Sequence, residues 1–472
     1  MKLSWKAEDV VRAVRGQSLH EQSWRASGVS MNTRTIQAGD LFFAIKGDIY
    51  DAHEFVAEAF AKGAAAAIVS KQPPQVATDA PLVFVNDVTT ALEDLGIAGR
   101  LRTEARILAV TGSVGKTGSK EMLRLMLNAT GATHANEGNL NSRLGVPLSL
   151  ARLPAEARFG VFELGMNHAG EIGPLSKQVQ PHVALITNVE AVHLEFFAST
   201  EAIAVAKAEI FEGMNADGAA VLNRDNPHFA RLKDAAKTHG IKHILGFGAD
   251  AKSDARLINC KATADSSEIE AEIMGRTLYY RLSAPGPHLV LNSLGALLAA
   301  IAAGAEADVC AAALAHYVPL KGRGGEQKIV IEGGEISLID ESYNASPPAV
   351  RAAIRVLGQA KPVGRRIMAL GDMRELGKAA PELHAALAKD LIEAKIDRVH
   401  CCGEMMKHLH DALPATQRGF YAKDSTELAP RVASDLRAGD VITIKGSHSI
   451  HMELVIEAIK ALDLSGKKKM AS

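Results

Sequence analysis

The sequence predicts an α/β protein of three consecutive units, with a parallel-sheet phosphate-loop domain at its centre. Three observations predict it. The chain has 472 residues, about three times a typical domain of ~150 residues. From Ile107 onward, apolar runs of strand length alternate with helical segments, the pattern of parallel strands joined by helices. The run Ile107 to Thr111 leads directly into Gly112-Ser113-Val114-Gly115-Lys116-Thr117, a glycine turn that opens a helix.

In the first unit, residues 1–103, Asp40 to Ile45 and Ala65 to Val69 read as strands with a helix between them from Glu54 to Lys62. Lys71-Gln72-Pro73-Pro74 is a break, and a linker is expected near Arg100 to Arg106. In the second unit, residues 104–317, the helix Lys116 to Asn128 places Met122, Leu123, Met126 and Leu127 on one face. Further strands are expected at Phe159 to Leu164, Val183 to Asn188 and Ala219 to Asn223. Helices are expected at Thr200 to Met214 and Asn292 to Ala303, with a β excursion over 251–283 between them. Pro319 and Gly322-Arg323-Gly324-Gly325 mark the start of the third unit, residues 318–472. Its apolar runs, Ile336 to Asp340, Arg366 to Asp372 and Asp440 to Ile444, predict a Rossmann-like open sheet, whose ligands bind at the carboxyl ends of the strands. His400, His408 and His410 are assigned by default to a wet helix face, and Cys401 and Cys402 to structural positions.

Composition narrows the classes of function. Lysine and arginine total 53 against 54 acidic residues, a net charge of −1. That argues against a strongly basic nucleic-acid binder and against an acidic solvating chain. The four cysteines, Cys260, Cys310, Cys401 and Cys402, contain no C-x-x-C pair and suit a reducing compartment. Met1 to Val10 lacks the apolar stretch of a signal peptide. The longest apolar run, Ala296 to Ala303, falls far short of the ~20 residues that span a bilayer. A soluble, cytoplasmic, monomeric protein is expected, with no membrane insertion and no nucleic-acid partner. Lys467-Lys468-Lys469 reads as a solvated tail.

The glycine turn carries the strongest chemistry. Glycines let successive N–H groups face an anion, Lys116 would neutralise β/γ-phosphates, and the Thr117 hydroxyl would ligate Mg²⁺. The pattern G-x-x-x-x-G-K-[ST] is met except at its first glycine, where Val110 stands and Gly112 follows instead. A nucleotide site leaves three classes open: a switch or motor NTPase, a small-molecule kinase, and a ligase that activates a carboxylate as acyl phosphate. Glu163 ends a strand, where it could supply a hard oxygen ligand or simply face solvent. His193 follows another strand and could be ligand, base or structural residue. Lys207, in a helix, reads on its own as an exposed lysine paired with a neighbouring acid.

Taken together, the motifs resemble the Mur ligases, ATP-dependent amide-forming enzymes of peptidoglycan synthesis. The resemblance spans nearly the whole chain. Its markers are Thr111 to Thr117, Gly138-Asn139-Leu140-Asn141, Glu163-Leu164-Gly165-Met166-Asn167-His168, Thr187 to Glu195, Ala206-Lys207-Ala208-Glu209-Ile210, Gly322-Arg323-Gly324, Asp340 to Pro347, Gly371 to Gly377 and Lys445-Gly446-Ser447. The Glu-Leu-Gly-x-Asn-His and Asp-x-x-Tyr-Asn-x-x-Pro forms favour the branch that joins D-alanyl-D-alanine to a UDP-N-acetylmuramoyl-tripeptide.

The resemblance implies roles. Gly112, Ser113, Val114, Gly115, Lys116 and Thr117 would hold the ATP phosphates. Thr117, Glu163, His193 and a carbamoylated Lys207 would hold Mg²⁺, two ions in all, which reverses the simple reading of Lys207. Asn292 would contact adenine and Arg323 the γ-phosphate. Asp340, Tyr343 and Asn344 would lie at the cleft between the second and third units. Lys116, His193, Lys207 and Arg323 would carry the catalysis. Asn32, Thr33, Arg34, Lys46, Asp51, His53 and Asn139 would bind the nucleotide-sugar substrate. The chain departs from the family's commoner residues at Asn32, Ala52 and Leu289.

Overall fold

The computed structural model describes residues 3–19, 23–263 and 266–465, so the Lys467-Lys468-Lys469 tail lies outside the described residues. The expected α/β class is found. A four-stranded all-parallel sheet orders Gly28–Ser30, Asp40–Phe43, Ala66–Val69 and Leu82–Phe84. A nine-stranded sheet follows in the order Arg276–Leu282, Ser267–Ile273, Ala255–Ala262, His243–Gly248, Ala219–Asn223, Val183–Ile186, Arg106–Thr111, Phe159–Glu163, Thr133–Ala135. Its first three strands pair antiparallel and form the β excursion, while the other pairings are parallel. The six-stranded sheet, in the order Gly325–Ile331, Gly334–Glu341, Val441–Lys445, Arg366–Gly371, Arg398–Cys402, Arg418–Ala422, has one antiparallel pair at its edge and is otherwise parallel.

Helices cover both faces of the nine-stranded sheet, as its continuous apolar strands require. On one face lie Lys116–Thr130 and Pro287–Ala302, the first burying Met122, Leu123, Met126 and Leu127 completely. On the other lie Ile172–Val179 and Thr200–Ala208, packed through Ile172, Leu175, Ile203 and Ala204. The strands run parallel between these layers, so the carboxyl ends of Arg106–Thr111, Phe159–Glu163 and Val183–Ile186 emerge on one edge. That edge faces the corresponding edge of the six-stranded sheet.

Several expectations need correction. Arg100 is no linker residue: the helix Val88–Leu101 runs through it, and its guanidinium donates to the Val179 and Gln180 carbonyls at 2.8 and 3.2 Å. The helix expected to start at Asn292 starts at Pro287, a first-turn position that proline suits because its missing N–H has no intrahelical partner there. The helix expected from Thr200 to Met214 is α-helical only to Ala208 and continues as a 3₁₀ turn, Glu209–Gly213. His400 lies in the strand Arg398–Cys402, 0% exposed, and its Nδ1 accepts the Phe420 N–H at 3.0 Å. His408 and His410 do sit on a helix, Met406–Ala412. Cys401 and Cys402 are buried in the same strand as His400.

Candidate active site

The phosphate loop is built by its strand, its helix and a neighbouring loop. Arg106–Thr111 ends at Gly112, whose φ of +151° favours glycine and where a Cβ would sit 1.9 Å from Thr187 Oγ1. Gly115, at φ +83°, caps the helix Lys116–Thr130, and a Cβ there would lie 2.5 Å from Asn292 Nδ2. The loop is laced to the segment after Val183–Ile186: Val114 N–H donates to Asn188 Oδ1 at 3.1 Å, Thr187 Oγ1 donates to the Val114 carbonyl at 2.7 Å, and Ser113 Oγ accepts the Glu190 N–H at 2.9 Å. The first-turn N–H groups of the helix have no intrahelical acceptor and form an anion-binding end. Lys116 Nζ donates to the Gly112 and Ser113 carbonyls at 2.7 and 3.3 Å, which keeps the ammonium over the loop. Burial holds this ammonium below the ordinary lysine pKa, Glu163 opposes that shift, and Arg323 adds to it. Lys116, Glu163 and Arg323 therefore share one electrostatic neighbourhood.

Glu163, at the end of Phe159–Glu163, is 2% exposed. Its Oε1 accepts Asn141 Nδ2 at 2.8 Å, while its Oε2 is buried without a hydrogen-bond partner among the described residues. The solvent-facing alternative for this carboxylate is thus excluded. Lys207 is 1% exposed, and its ammonium nitrogen makes no hydrogen bond or ion pair with another described residue. The neighbouring acid that might have paired with it, Glu209, instead accepts the Gly170, Ile172 and Gly173 N–H groups at the start of the helix Ile172–Val179. Burial, reinforced by the charge of Lys116, drives the Lys207 ammonium well below its ordinary pKa. The simple reading of an exposed, paired helical lysine fails on both counts.

A cavity of about 1380 Å³ lies between the nine- and six-stranded sheets. Ser113 to Thr117, Glu163, His193 and Asn292 line it from one side, and Arg323, Tyr343 and Asn344 from the other. Lys207, Gly112, Asn139 and Asp340 do not line it. Asp340, buried, works from behind: its carboxylate accepts the Gly322 N–H and both the N–H and Oγ of Ser342, so it fixes the turn that carries Arg323. The Arg323 guanidinium stacks over the Tyr343 ring at 4.1 Å. Glu341 and Lys445 form an ion pair at 2.9 Å, and Lys445 also donates to the Asn344 carbonyl at 2.9 Å. Burial alone would raise the Glu341 carboxyl, but the Lys445 ammonium leaves it below its usual pKa.

The residues of the first unit gather elsewhere, around the four-stranded sheet. Asn32 Oδ1 accepts the Arg34 N–H at 2.9 Å and shapes the turn that presents Thr33 and Arg34. The backbones of Lys46 and Asp51 pair antiparallel across a short loop, with the Ala52 N–H donating to the Ile45 carbonyl at 3.1 Å. Asp51 accepts His53 Nδ1 at 2.6 Å and Lys71 Nζ at 2.7 Å, and the Lys71 contact leads in holding its carboxyl far below the ordinary value. His53 is 2% exposed, and its Nε2 accepts the Ser70 N–H at 2.9 Å. Both ring nitrogens are engaged, so His53 braces the loop and has none left for a ligand.

Lining residues that sequence reasoning missed include Asn141, Arg355, Arg374 and Glu375. Asn141, which holds Glu163, sits in Gly138-Asn139-Leu140-Asn141, and Arg374 and Glu375 sit in Gly371 to Gly377, so those motifs were the available signal for all three. Arg355 and Arg374 also line the cavity, and the charge of Arg355 acts on the Glu190 carboxyl, partly offsetting the upward shift that burial gives it. Glu375 reaches across from the six-stranded side to His193 Nδ1, and the imidazole holds its carboxyl below the ordinary pKa.

Comparison with known proteins agrees with this geometry. Residues 25–100 match the Mur ligase family catalytic domain, 110–300 the Mur ligase middle domain and 328–448 the Mur ligase glutamate ligase domain. The UDP-N-acetylmuramoyl-tripeptide–D-alanyl-D-alanine ligase of Escherichia coli K12 is 36% identical over 92% of this chain and 93% of its own. The enzyme of the same name from Rickettsia prowazekii is 32% identical over 91% and 94%. A crystal structure of MurF from Acinetobacter baumannii superposes with a TM-score of 0.86 at 30% identity, covering 98% of this chain and 99% of that one. MurF ligase from Thermotoga maritima in complex with ADP gives 0.78 at 26% identity, covering 92% and 97%. With all three domain types matched in order around a phosphate loop that faces Arg323, the chain belongs to the Mur ligase family.

Proposed function

We propose that this chain is an ATP-dependent ligase that joins D-alanyl-D-alanine to the terminal carboxylate of a UDP-N-acetylmuramoyl-tripeptide in peptidoglycan precursor synthesis. The observation that carries the reading is the cavity in which the phosphate loop meets Arg323 from the opposite domain. Relatives bearing that activity, aligned over more than nine-tenths of both chains, support it. Residues 1–103 serve as the nucleotide-sugar domain, 104–317 as the ATP domain and 318–472 as the closing domain, in a cytoplasmic monomer. No helix among the described residues is long and apolar enough to cross a membrane.

The reaction brings two anions together. A substrate carboxylate oxygen attacks the γ-phosphorus of ATP, and the bond to the β–γ bridging oxygen breaks, releasing ADP. The amine of D-alanyl-D-alanine then attacks the acyl carbon of the acyl phosphate, a proton is lost, and phosphate leaves. Lys116, Arg323 and the first-turn N–H groups offset the charge on the transferring phosphoryl group. Asn292, packed against Gly115, contacts the adenine, and Tyr343 fixes the direction of Arg323. Asp340 and Asn344 hold the wall of the closing domain. Asn32, Thr33, Arg34, Lys46, Asp51 and Asn139 bind the nucleotide-sugar substrate over the brace formed by His53. Closure excludes the water that would hydrolyse an acyl phosphate.

Magnesium fits the residues present. Glu163 Oε2 has no hydrogen-bond partner among the described residues and is a free hard donor at the cavity, while Lys207, buried and likewise unpartnered among them, lies within the field of Lys116. Among the described residues no group of three or more His, Cys, Asp or Glu side chains is arranged for a metal, so Glu163 and His193 need a further anionic donor. Carbamoylation supplies it: the neutral Lys207 amine adds CO₂ and loses a proton, which leaves an N-carboxylate with hard oxygens. The depressed pKa favours the neutral amine that this addition needs. Thr117, Glu163, His193 and carbamoylated Lys207 would hold two Mg²⁺ ions, which neutralise triphosphate charge.

A screen of UDP-muramoyl peptides against candidate amines tests the reading. Tripeptide with D-alanyl-D-alanine should give the product; turnover only with a shorter acceptor and a single amino acid would replace it with a different ligase activity.

A further inference from the structure

Two loops from different domains meet at the cavity rim. One, residues 189–197, follows the strand Val183–Ile186; the other, residues 372–377, follows the strand Arg366–Gly371. Three contacts join them. The His193 imidazole donates through Nδ1 to the Glu375 carboxylate. The Glu195 N–H donates to the Glu375 carbonyl at 3.1 Å. Gly377 approaches so closely that a Cβ on it would lie 3.3 Å from Glu195 Cα.

This is more than an incidental surface ion pair, which contributes little on its own. Both partners adopt left-handed backbone, His193 at φ +55° and Glu375 at φ +62°. Residues with side chains adopt it rarely and at a cost, and it persists where the surroundings over-determine it. The surroundings do so. The Met373 N–H donates to His384 Nε2 at 3.0 Å, the Arg374 N–H to Ser447 Oγ at 2.9 Å, and Asp372 accepts the Met406 N–H at 2.7 Å. Met373 and Leu376 on either side are buried. On the other loop, the Phe196 and Phe197 N–H groups donate to the His193 carbonyl at 2.9 and 3.2 Å. Each domain thus presents its residue from a rigid turn.

The chemistry of the contact is directional. A carboxylate that takes the Nδ1–H of a neutral imidazole fixes the tautomer with its lone pair on Nε2 and fixes the plane of the ring. Nδ1 is spent on Glu375, so Nε2 is the ring nitrogen left for the cavity that His193 lines. Glu375 belongs to the domain that also carries Arg323, so both arrive together.

We propose that Glu375 is a positioning residue and an interdomain latch: it orients His193 only when the closing domain is seated, which ties assembly of the His193 side of the site to delivery of Arg323. The part of this that concerns catalysis rests on the ligase reading given above; the latch itself rests on the contacts alone.

The test uses the full chain and two variants, Glu375→Ala and Glu375→Gln; Glu375 is half-exposed, so both should fold. Amide exchange over residues 190–198 is followed without ligands, where the Glu195 amide reports the seated domain directly. Loss of a hydrogen bond to a charged group should speed exchange of that segment by roughly tenfold to a hundredfold in Glu375→Ala. Exchange in the strand Val183–Ile186 should not change. In the ligase assay, Glu375→Ala should lower kcat by about tenfold or more with substrate KM values within about twofold, and Glu375→Gln, which keeps an oxygen acceptor, should recover part of it. Unchanged exchange over 190–198 in Glu375→Ala overturns the latch whatever the activity. Faster exchange with wild-type kcat overturns the positioning role. A wild-type chain inactive with the proposed substrates would instead overturn the ligase reading and leave the exchange result to judge the latch.

Discussion

Replacing Lys207 by methionine should separate stability from activity in opposite directions. The side chain is 1% exposed, has no ionic or hydrogen-bonding partner among the described residues, and lies close enough to Lys116 for the two charges to repel. Burial drives the folded-state amine toward its neutral form, at the cost of releasing a proton that the unfolded chain keeps, and methionine fills nearly the same volume without that cost. Removing that cost should stabilise the fold by about 1.4 kcal/mol for each pH unit that separates the working pH, or the depressed pKa if that is higher, from the ordinary one. In a domain of this size each kcal/mol raises the melting temperature by roughly 2–4 °C. The pH dependence follows from the direction of the shift. Because the folded pKa is depressed, the unfolded chain binds more protons below the ordinary value of 10.5. Wild-type stability is therefore lost as pH falls from that value toward the depressed one, at up to ~1.4 kcal/mol per pH unit. Lys207→Met should lack this slope, so its advantage should be larger at about pH 7 than at about pH 9. Melting curves in bicarbonate-free buffer at both values measure it. Meanwhile the variant should be nearly inactive as a ligase, because no carbamate can form. A Lys207→Met variant that melts several degrees below wild type, or that turns over at a comparable rate, would refute the reasoning.

Other residues give sharper single readouts. Lys116→Ala removes the ammonium held over the phosphate loop and should cost ~10²-fold or more in amide formation while the folded state survives, measured by steady-state rate and circular dichroism. Gly115→Ala places a methyl 2.5 Å from Asn292 Nδ2 at φ +83°, so nucleotide affinity, read by equilibrium binding of a fluorescent ATP analogue, should fall at least about tenfold. Arg323→Ala removes the guanidinium stacked on Tyr343 and should lower kcat far more than it weakens binding of the UDP substrate in calorimetry. Short carboxylic acids should partly restore Lys207→Ala by occupying the carbamate position, seen as a saturable gain in rate.

How much was legible in the sequence depended on how local the cause was. The phosphate loop is a strand, two strained glycines and a helix within eleven residues, and each has its own signature. The buried face of Lys116–Thr130 followed from spacing alone. Lys207 is different. Its helix neighbours are mostly alanines, and nothing nearby says that Ile203, Ala204 and Lys207 all face inward; that depends on packing against the nine-stranded sheet, so only resemblance marked the residue. His400 was misplaced for the same reason: a short apolar run followed by a histidine-rich helix reads as one polar segment until the strand Arg398–Cys402 is seen between its neighbours. Glu375 and His193 lie 182 positions apart, and their meeting depends on how two domains seat, which no local pattern encodes. His53 shows the converse limit. Its motif was found, but whether a histidine faces a ligand or braces a loop depends on partners such as Ser70, brought in from another strand end.

The central claim is that the cavity activates a carboxylate at the expense of ATP. It is tested most directly by giving the enzyme a UDP-N-acetylmuramoyl-tripeptide labelled with ¹⁸O in its terminal carboxylate, together with ATP and D-alanyl-D-alanine, and measuring the mass of the released phosphate. The account predicts that one labelled oxygen passes from each carboxylate to phosphate, in step with peptide formed. Unlabelled phosphate, or phosphate released at full rate without the amine, would contradict it.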